Sequence, residues 1–318
     1  MRIYAAPLEG ITTYLFRNAH RTLFGGVDKY FMPFFSPAAE HILTVRELRD
    51  LVPAHNEGTP AVPQVMTRRA EDFLWAAEQV ADMGYGEVNL NLGCPSGTVT
   101  AKGKGAGFLA RPEELDAFFE AVFTKVTLPV SVKTRLGIRE AEEFDRLLEI
   151  YNRYPISELM IHPRVQRDFY KNTVRLDAFA AALARSRNPV VYNGDLVTPK
   201  DCTAFTRRFP EVETVMIGRG LIADPALPRK LRGGPPASRE ELQQFTGELY
   251  RGYREAYGHP GGAAQRMKEL WFYLIRLFAD RERYARNMRR VRSPREYEEL
   301  EAGIFRDLPL LDEAVGPL

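Results

Sequence analysis

The sequence predicts a (β/α)8 barrel followed by a helical domain, and three observations carry that expectation. Eight short β-prone runs recur between Ile3 and Ile217 with helical patterns between them. Polar and ionisable residues collect at the carboxyl ends of those runs, the functional face of such a barrel. Past a Gly/Pro-rich stretch the β pattern stops and only helical periodicity remains. An open doubly wound sheet is the alternative, because alternation alone does not establish closure.

The strands are expected at Ile3–Ala6, Val27–Met32, Val62–Val65, Glu87–Asn91, Val130–Lys133, Glu158–His162, Val190–Asn193 and Val215–Ile217. Between them, helices are expected at Thr12–Phe24, Arg68–Met83, Pro112–Lys125, Glu140–Arg153, Leu176–Ser186, Pro199–Phe209 and Asp224–Leu231. Phe73, Leu74, Ala77 and Val80 give one of these its apolar face before Gly84 stops it. Pro112 and Pro199 suit a first helical turn, where the missing N–H costs nothing. RGGPPAS, residues 232–238, then leads into helices at Arg239–Tyr257, Ala264–Ala279, Glu282–Arg290 and Pro294–Ala302. The implied organisation is a barrel over 1–232, a linker over 233–238 and a helical domain over 239–318.

Composition narrows the function. The 318 residues, 45% hydrophobic and 27% charged, are ample for a large domain with a smaller one appended. The start lacks a signal-peptide pattern and no apolar run is long enough to span a bilayer, so a cytoplasmic location is expected, with no membrane and no obligate protein partner evident. Two cysteines, Cys94 and Cys202, are too few for a disulfide framework. No short-spaced ligand set suggests a metal: His162, Asp195 and Glu9 are scattered, and His20, His41, His55 and His259 read as packing or surface residues. Neither a Walker A loop nor an early GxGxxG is present.

Three regions carry chemistry. In EVNLNLGCPSGTVTAKGKGAGFL, residues 87–109, Val88, Leu90 and Leu92 alternate with Asn89 and Asn91, a strand with one polar face. Cys94 follows its end, and the glycines beyond permit close backbone approach and suggest a mobile loop. Gln64, Lys133, Arg135, His162, Arg164, Asn193 and Asp195 lie at or beyond other strand ends, which points to an enzyme pocket. MIGRG, residues 216–220, precedes a short helix at a place where barrels bind phosphate, and NGD, residues 193–195, supports that reading. Between residues 264 and 292 nine basic residues face three acidic ones, a net +6 in a chain whose total is +2. That concentration favours a polyanionic partner. Trp271, Phe272 and Tyr273 within it read as core aromatics, and Cys202 as structural.

These motifs together resemble the tRNA-dihydrouridine synthases. APLEGIT (6–12) is similar to the family's opening motif, NLNLGCPSGTV (89–99) to its cysteine motif and KTRLG (133–137) to its K-x-R-x-G. HPRVQRDFY (162–170), NGD and IGRG complete the set, and RMKELWFYL (266–274) resembles part of the family's helical domain. The resemblance implies FMN as cofactor, NADPH or NADH as electron donor and tRNA as substrate. It implies Pro7, Leu8, Gln64, Lys133, His162, Asn193, Asp195, Gly218 and Arg219 as cofactor contacts. It assigns Asn91, Arg135 and Tyr170 to the target uracil, while the basic residues Arg266, Lys268, Arg283, Arg286, Arg289 and Arg290 are read as tRNA contacts. Leu8 stands where methionine is usual, and HPRV where HGRT is commoner, so the segment leading to Tyr170 is expected to differ in shape.

The chemistry agrees. The uracil C5=C6 bond is conjugated to the C4 carbonyl, so a hydride adds at C6 and a proton must reach C5. Cys94, as a protonated thiol, is the expected general acid. Lys133 and Arg135 are cations suited to charge developing on the flavin pyrimidine or a uracil carbonyl. Other readings are a free-pyrimidine flavoenzyme resembling dihydroorotate dehydrogenase, a non-catalytic RNA-binding protein, and a cysteine hydrolase recruiting His162.

Overall fold

A computed structural model describes residues 1–258 and 260–316 of the chain. His259 lies outside the described residues. In chain order the elements begin β1 (Arg2–Ala5), α1 (Tyr14–Leu23), β2 (Lys29–Phe31), α2 (Val45–Leu51), β3 (Ala61–Val62), β4 (Gln64–Val65), α3 (Ala70–Asp82) and β5 (Val88–Leu92). They continue with α4 (Gly97–Thr100), α5 (Pro112–Phe123), β6 (Val130–Arg135), α6 (Glu143–Tyr151), β7 (Leu159–His162), α7 (Leu176–Arg185), β8 (Val190–Asn193), α8 (Pro199–Arg208) and β9 (Thr214–Ile217). The remaining helices are α9 (Arg219–Ala223), α10 (Leu227–Leu231), α11 (Arg239–Tyr257), α12 (Pro260–Leu274), α13 (Glu282–Arg290) and α14 (Pro294–Asp307).

The strands form one sheet in the order β3-β2-β1-β9-β8-β7-β6-β5-β4. Its two ends are separated by a single residue, Pro63. The expected strand Val62–Val65 is therefore divided: Phe31 pairs with Val62 on one side, and Gln64 pairs with Asn89 on the other. Proline has no N–H to give a ladder, which interrupts the strand, but its carbonyl still accepts from Asn89 N at 2.9 Å. The barrel is thus closed in all but that one position. Parallel register places Asn89 opposite Ser131, Asn91 opposite Lys133 and Arg135 opposite His162. Alternation then sends Ser131, Lys133 and Arg135 to one face of β6, while Val130, Val132 and Thr134 take the other. Thr134 Oγ1 meets the Tyr151 hydroxyl of α6 at 3.0 Å.

By compactness the chain divides into two units. The first comprises residues 1–6, 29–194 and 211–216 and holds the strands, apart from the last residue of β9. Between β5 and β6, Phe118 of α5 packs edge-on against Phe73 of α3 and against Phe108. The second comprises residues 7–28, 195–210 and 217–318. Its compactness gathers α1, α8, α9 and α10 with the helices expected after the 233–238 linker. Phe245 of α11 receives the edges of Phe16 and Phe24 from the α1 region at 5.5 and 5.3 Å. Trp271 is buried and donates Nε1–H to the Tyr297 hydroxyl at 3.3 Å.

Several expected elements shift. Val130–Lys133 continues to Arg135, so Arg135 belongs to the strand and not to the turn beyond it. The helix expected at Ala264–Ala279 runs from Pro260 to Leu274 and tightens into a 3-10 turn at Ile275–Leu277. Pro294–Ala302 extends to Asp307. The α2 helix lacked a long apolar pattern, yet Thr44 and Glu47 cap it reciprocally. Phe272 is exposed, contrary to the core reading, because it lies one position past Trp271 on the helix.

Candidate active site

The cysteine site is built from the polar face of β5 and its neighbours. Asn91 Oδ1 accepts the backbone N–H of Gly93 at 3.0 Å and of Cys94 at 2.9 Å, fixing the chain where it leaves the strand. Asn91 Nδ2 donates to Gln64 Oε1 at 2.8 Å, and Gln64 Nε2 donates to Asn89 Oδ1 at 2.7 Å. Asn89 Nδ2 reaches Ser131 Oγ at 2.9 Å. Gln64 and Asn89 are fully buried, as buried amides with complete partners can be. Gln64 and Asn91 were expected to touch the flavin and the uracil; here their amides face one another and the cysteine turn.

The segment after Cys94 carries local structure. It contains α4 and a 3-10 turn at Gly105–Ala110, and Ala106 N donates to Cys94 O at 3.0 Å. Gly105 has φ +55°, and a Cβ there would lie 2.9 Å from Cys94 O, so both its backbone conformation and the close approach call for glycine. Lys104 Nζ donates to Ser36 Oγ at 2.7 Å. Cys94 itself is half-buried, whereas Cys202 is buried and its thiol is pushed up to about 12 by burial.

The Lys133 side chain, on the same face as Asn91, makes no hydrogen bond or ion pair among the described residues. Burial and then the neighbouring Arg135 lower its ammonium to about 7, while Cys94 acts in the opposite direction. A part-buried cation without a counter-ion suits an anionic ligand. That is the observation on which a flavin fits: Lys133 would hold an electron-rich, partly anionic ring edge.

Arg135 is 1% exposed and serves as a tie between loops. Its Nε donates to Gly93 O at 2.9 Å, and one terminal nitrogen donates to Val165 O at 3.2 Å and Phe169 O at 2.8 Å. Its guanidinium lies 5.2 Å from the centre of the Tyr170 ring. Tyr170 is exposed and stacks at 6.1 Å with His162. His162 Nε2 faces the Arg164 guanidinium at 3.2 Å; arginine only donates, so this nitrogen accepts and the neutral ring carries its proton on Nδ1. Asp168 knots the same loop by accepting from Val165 N at 3.0 Å, Asn172 Nδ2 at 2.6 Å and Arg175. Although burial opposes ionisation, the bonds from Arg175, Asn172 and Val165 bring its carboxyl down to about 2. Asn193, further round the sheet, donates Nδ2–H to Met216 O at 2.8 Å.

Within the second unit, Leu8 N donates to Thr12 Oγ1 at 2.8 Å, making a compact turn after Pro7. Asp195 accepts from Arg219 at 2.8 Å. Gly218 caps α9, and a Cβ on Gly220 would stand 2.1 Å from Leu196 O. Gly220 thus permits the close packing, while Arg219 has a carboxylate beside it. Arg266 pairs with Glu269 at 3.0 Å and approaches Gly10, and Lys268 donates to Val291 O at 3.0 Å. Both serve internal contacts. Arg283, Arg286, Arg289 and Arg290, in contrast, are exposed on α13. A groove of about 250 Å³ beside α13 is lined by Phe272, Arg276, Arg281, Arg286 and Arg289 among others.

Sequence reading missed Asp168 and Ser131, and it placed Arg164 at a strand end without giving it a partner. Asp168 stood inside a quoted motif, but its partners come from both sides of the turn, and Ser131 looked like an ordinary strand residue. Among the described residues no group of three His, Cys, Asp or Glu side chains is placed to hold a metal, and no helix is long and apolar enough to cross a membrane.

The dihydrouridine synthase family model matches residues 4–305. A probable tRNA-dihydrouridine synthase from Rhodobacter capsulatus is 30% identical over 295 residues, covering 85% of each chain. Another so named, from Staphylococcus aureus strain COL, is 29% identical over 228 residues, 69% of this chain and 68% of the relative. Among solved structures, a morphinone reductase variant in complex with tetrahydroNAD aligns with TM-score 0.53 at 14% identity over 77% of this chain and 90% of its own. A 2-naphthoyl-CoA reductase complex aligns with TM-score 0.56 at 12% identity over 73% of this chain and 50% of its own. At those identities the structural likeness is one of fold.

Proposed function

The chain belongs to the dihydrouridine synthase family, and on that premise we propose that it reduces uridine in tRNA to 5,6-dihydrouridine with FMN as cofactor and NADPH or NADH as electron donor. The observation that carries the proposal is the half-buried Cys94, fixed by Asn91 on the face that holds the unpaired cation Lys133. Pro7, Leu8, Gln64, Lys133, His162, Asn193, Asp195, Gly218 and Arg219 are the residues proposed to hold the cofactor. When bound, the flavin supplies a hydride to uracil C6.

The chain's own residues do the rest. Cys94 gives its thiol proton to C5, completing the addition across the double bond. Lys133 offers an ammonium to negative charge, and an anion beside it would oppose the burial and the Arg135 charge that lower its proton affinity. Tyr170 presents an exposed ring, backed by Arg135 and His162, against which a base turned out of the tRNA can stack. Arg283, Arg286, Arg289 and Arg290 hold phosphates. The reaction belongs in the cytoplasm, with the tRNA pool.

Purified protein should be yellow, and tRNA from cells lacking it should lose dihydrouridine at a defined position. Cys94→Ala should retain flavin and tRNA while single-turnover uridine reduction slows about 100-fold or more. Undiminished reduction would remove Cys94 as the acid. Failure to bind flavin on reconstitution would leave the RNA-binding reading, and reduction of free pyrimidine in preference to tRNA would redirect the substrate.

A further inference from the structure

Glu87 opens the run into β5, at the opposite end of the strand from Cys94. Its Oε1 accepts the hydroxyl proton of Ser131 at 2.5 Å, while Oε2 accepts from Lys29 at 2.7 Å. Lys29 also donates to Glu158 at 2.8 Å, and the Tyr4 hydroxyl donates to Glu158 at 2.6 Å. The carboxylate of Glu87 is therefore held in place as an acceptor.

That fixes a direction. Because Ser131 spends its proton on Glu87, its oxygen must accept, and Asn89 must turn its NH2 toward it at 2.9 Å. Asn89 then presents its oxygen to Gln64 Nε2 at 2.7 Å, leaving Gln64 Oε1 to receive Asn91 Nδ2 at 2.8 Å. Asn91 is left with its oxygen toward the Gly93 and Cys94 amides, both of which it accepts. Each donor points away from the cysteine and toward Glu87. A reversed Asn91 amide would set an NH2 against two backbone N–H groups, so the cysteine turn at one end and the Glu87 acceptor at the other demand the same direction, and each link removed between them loosens the amide that holds Cys94.

We propose that Glu87 and Ser131 are positioning residues for Cys94, acting through the Asn89–Gln64–Asn91 relay that sets the amide holding the cysteine turn. The proposal rests on the assignment of Cys94 as proton donor for its effect on turnover, but not for its effect on the cysteine itself. Cys202 is buried, so alkylation by iodoacetamide reads Cys94.

Ser131→Ala removes one link with little change of shape, and Asn89→Asp replaces a donor by an acceptor isosterically. In the holoenzyme both should shift the midpoint of the Cys94 alkylation profile against pH by about half a unit or more. Both should lower kcat for uridine reduction about tenfold, with KM for tRNA and flavin occupancy held within about twofold. Ser131→Thr, which keeps the hydroxyl, should restore both readouts. A wild-type alkylation profile in folded Ser131→Ala and Asn89→Asp would overturn the relay, as would a defect that Ser131→Thr failed to rescue. If the profile shifts while Cys94→Ala reduces uridine at the wild-type rate, the relay stands and the proton-donor reading fails.

Discussion

At the scale of single residues, the site contains two charges held away from their ordinary proton affinities in opposite circumstances. Lys133 is lowered from 10.5 to about 7 by burial and Arg135. Between those values the unfolded chain binds more protons at this position, so its contribution makes stability rise with pH across that window. The limiting slope is about 1.4 kcal/mol per pH unit. Lys133→Met should abolish this slope in urea titrations of flavin-free protein at pH 7 and 9. It should also remove the decline in flavin affinity expected above about pH 7, since an anion beside the ammonium favours the protonated form. Asp168 is lowered from 3.8 to about 2 despite its burial. Its stabilisation is present above pH 3.8 and is lost as pH falls toward 2. Asp168→Asn should cost about 2 kcal/mol at neutral pH and flatten the acid limb of urea denaturation. Because Asp168 ties the segment carrying Tyr170, the same variant should raise KM for tRNA.

At the scale of elements, the turn after β5 is packed rather than loose. Gly105→Ala would strain a backbone at φ +55° and press on Cys94 O and Val99. A destabilisation of about 1–2 kcal/mol is expected in thermal or urea unfolding, together with slower uridine reduction. The motif around Cys94 was legible because strand alternation, Cys94 and the glycines are adjacent in the sequence; so were the polar strand ends, since the barrel topology gathers them. The roles of Ser131, Arg164 and Asp168 were not, because each depends on a partner that only the folded chain supplies. Arg135 shows the same limit. Its position in KTRLG was clear, but its task of joining Gly93 O to Val165 O and Phe169 O required two other loops to be in place. The glycine run was read for freedom, and what it shows in the fold is close approach: Gly105 and Gly107 admit contacts between α4, the 3-10 turn and the Cys94 backbone.

For the molecule as a whole, the proposed function assigns chemistry and RNA recognition to different residues, and kinetics separates the two. Arg283, Arg286, Arg289 and Arg290 are exposed on α13, beside the groove that also contains Phe272. Their distance in sequence from the cysteine motif lets each group be changed without editing the other. Replacing these four arginines with glutamate should weaken tRNA binding at every salt concentration. It should also reduce the magnitude of the log affinity versus log salt slope, by about one for each phosphate that is no longer neutralised. Phe272→Ala should weaken binding while leaving that slope nearly unchanged, because a stacked ring releases no counter-ion. The arginine variant should still bleach its flavin absorbance with NADPH at the wild-type rate, and saturating tRNA should recover most of kcat. Cys94→Ala should do the reverse, with tRNA affinity and salt slope intact but slow uridine reduction at saturation. Equal loss of the NADPH-driven step in the arginine variant would mean that its charges support the fold or the cofactor. An unchanged salt slope would move the phosphate-binding surface away from α13 altogether.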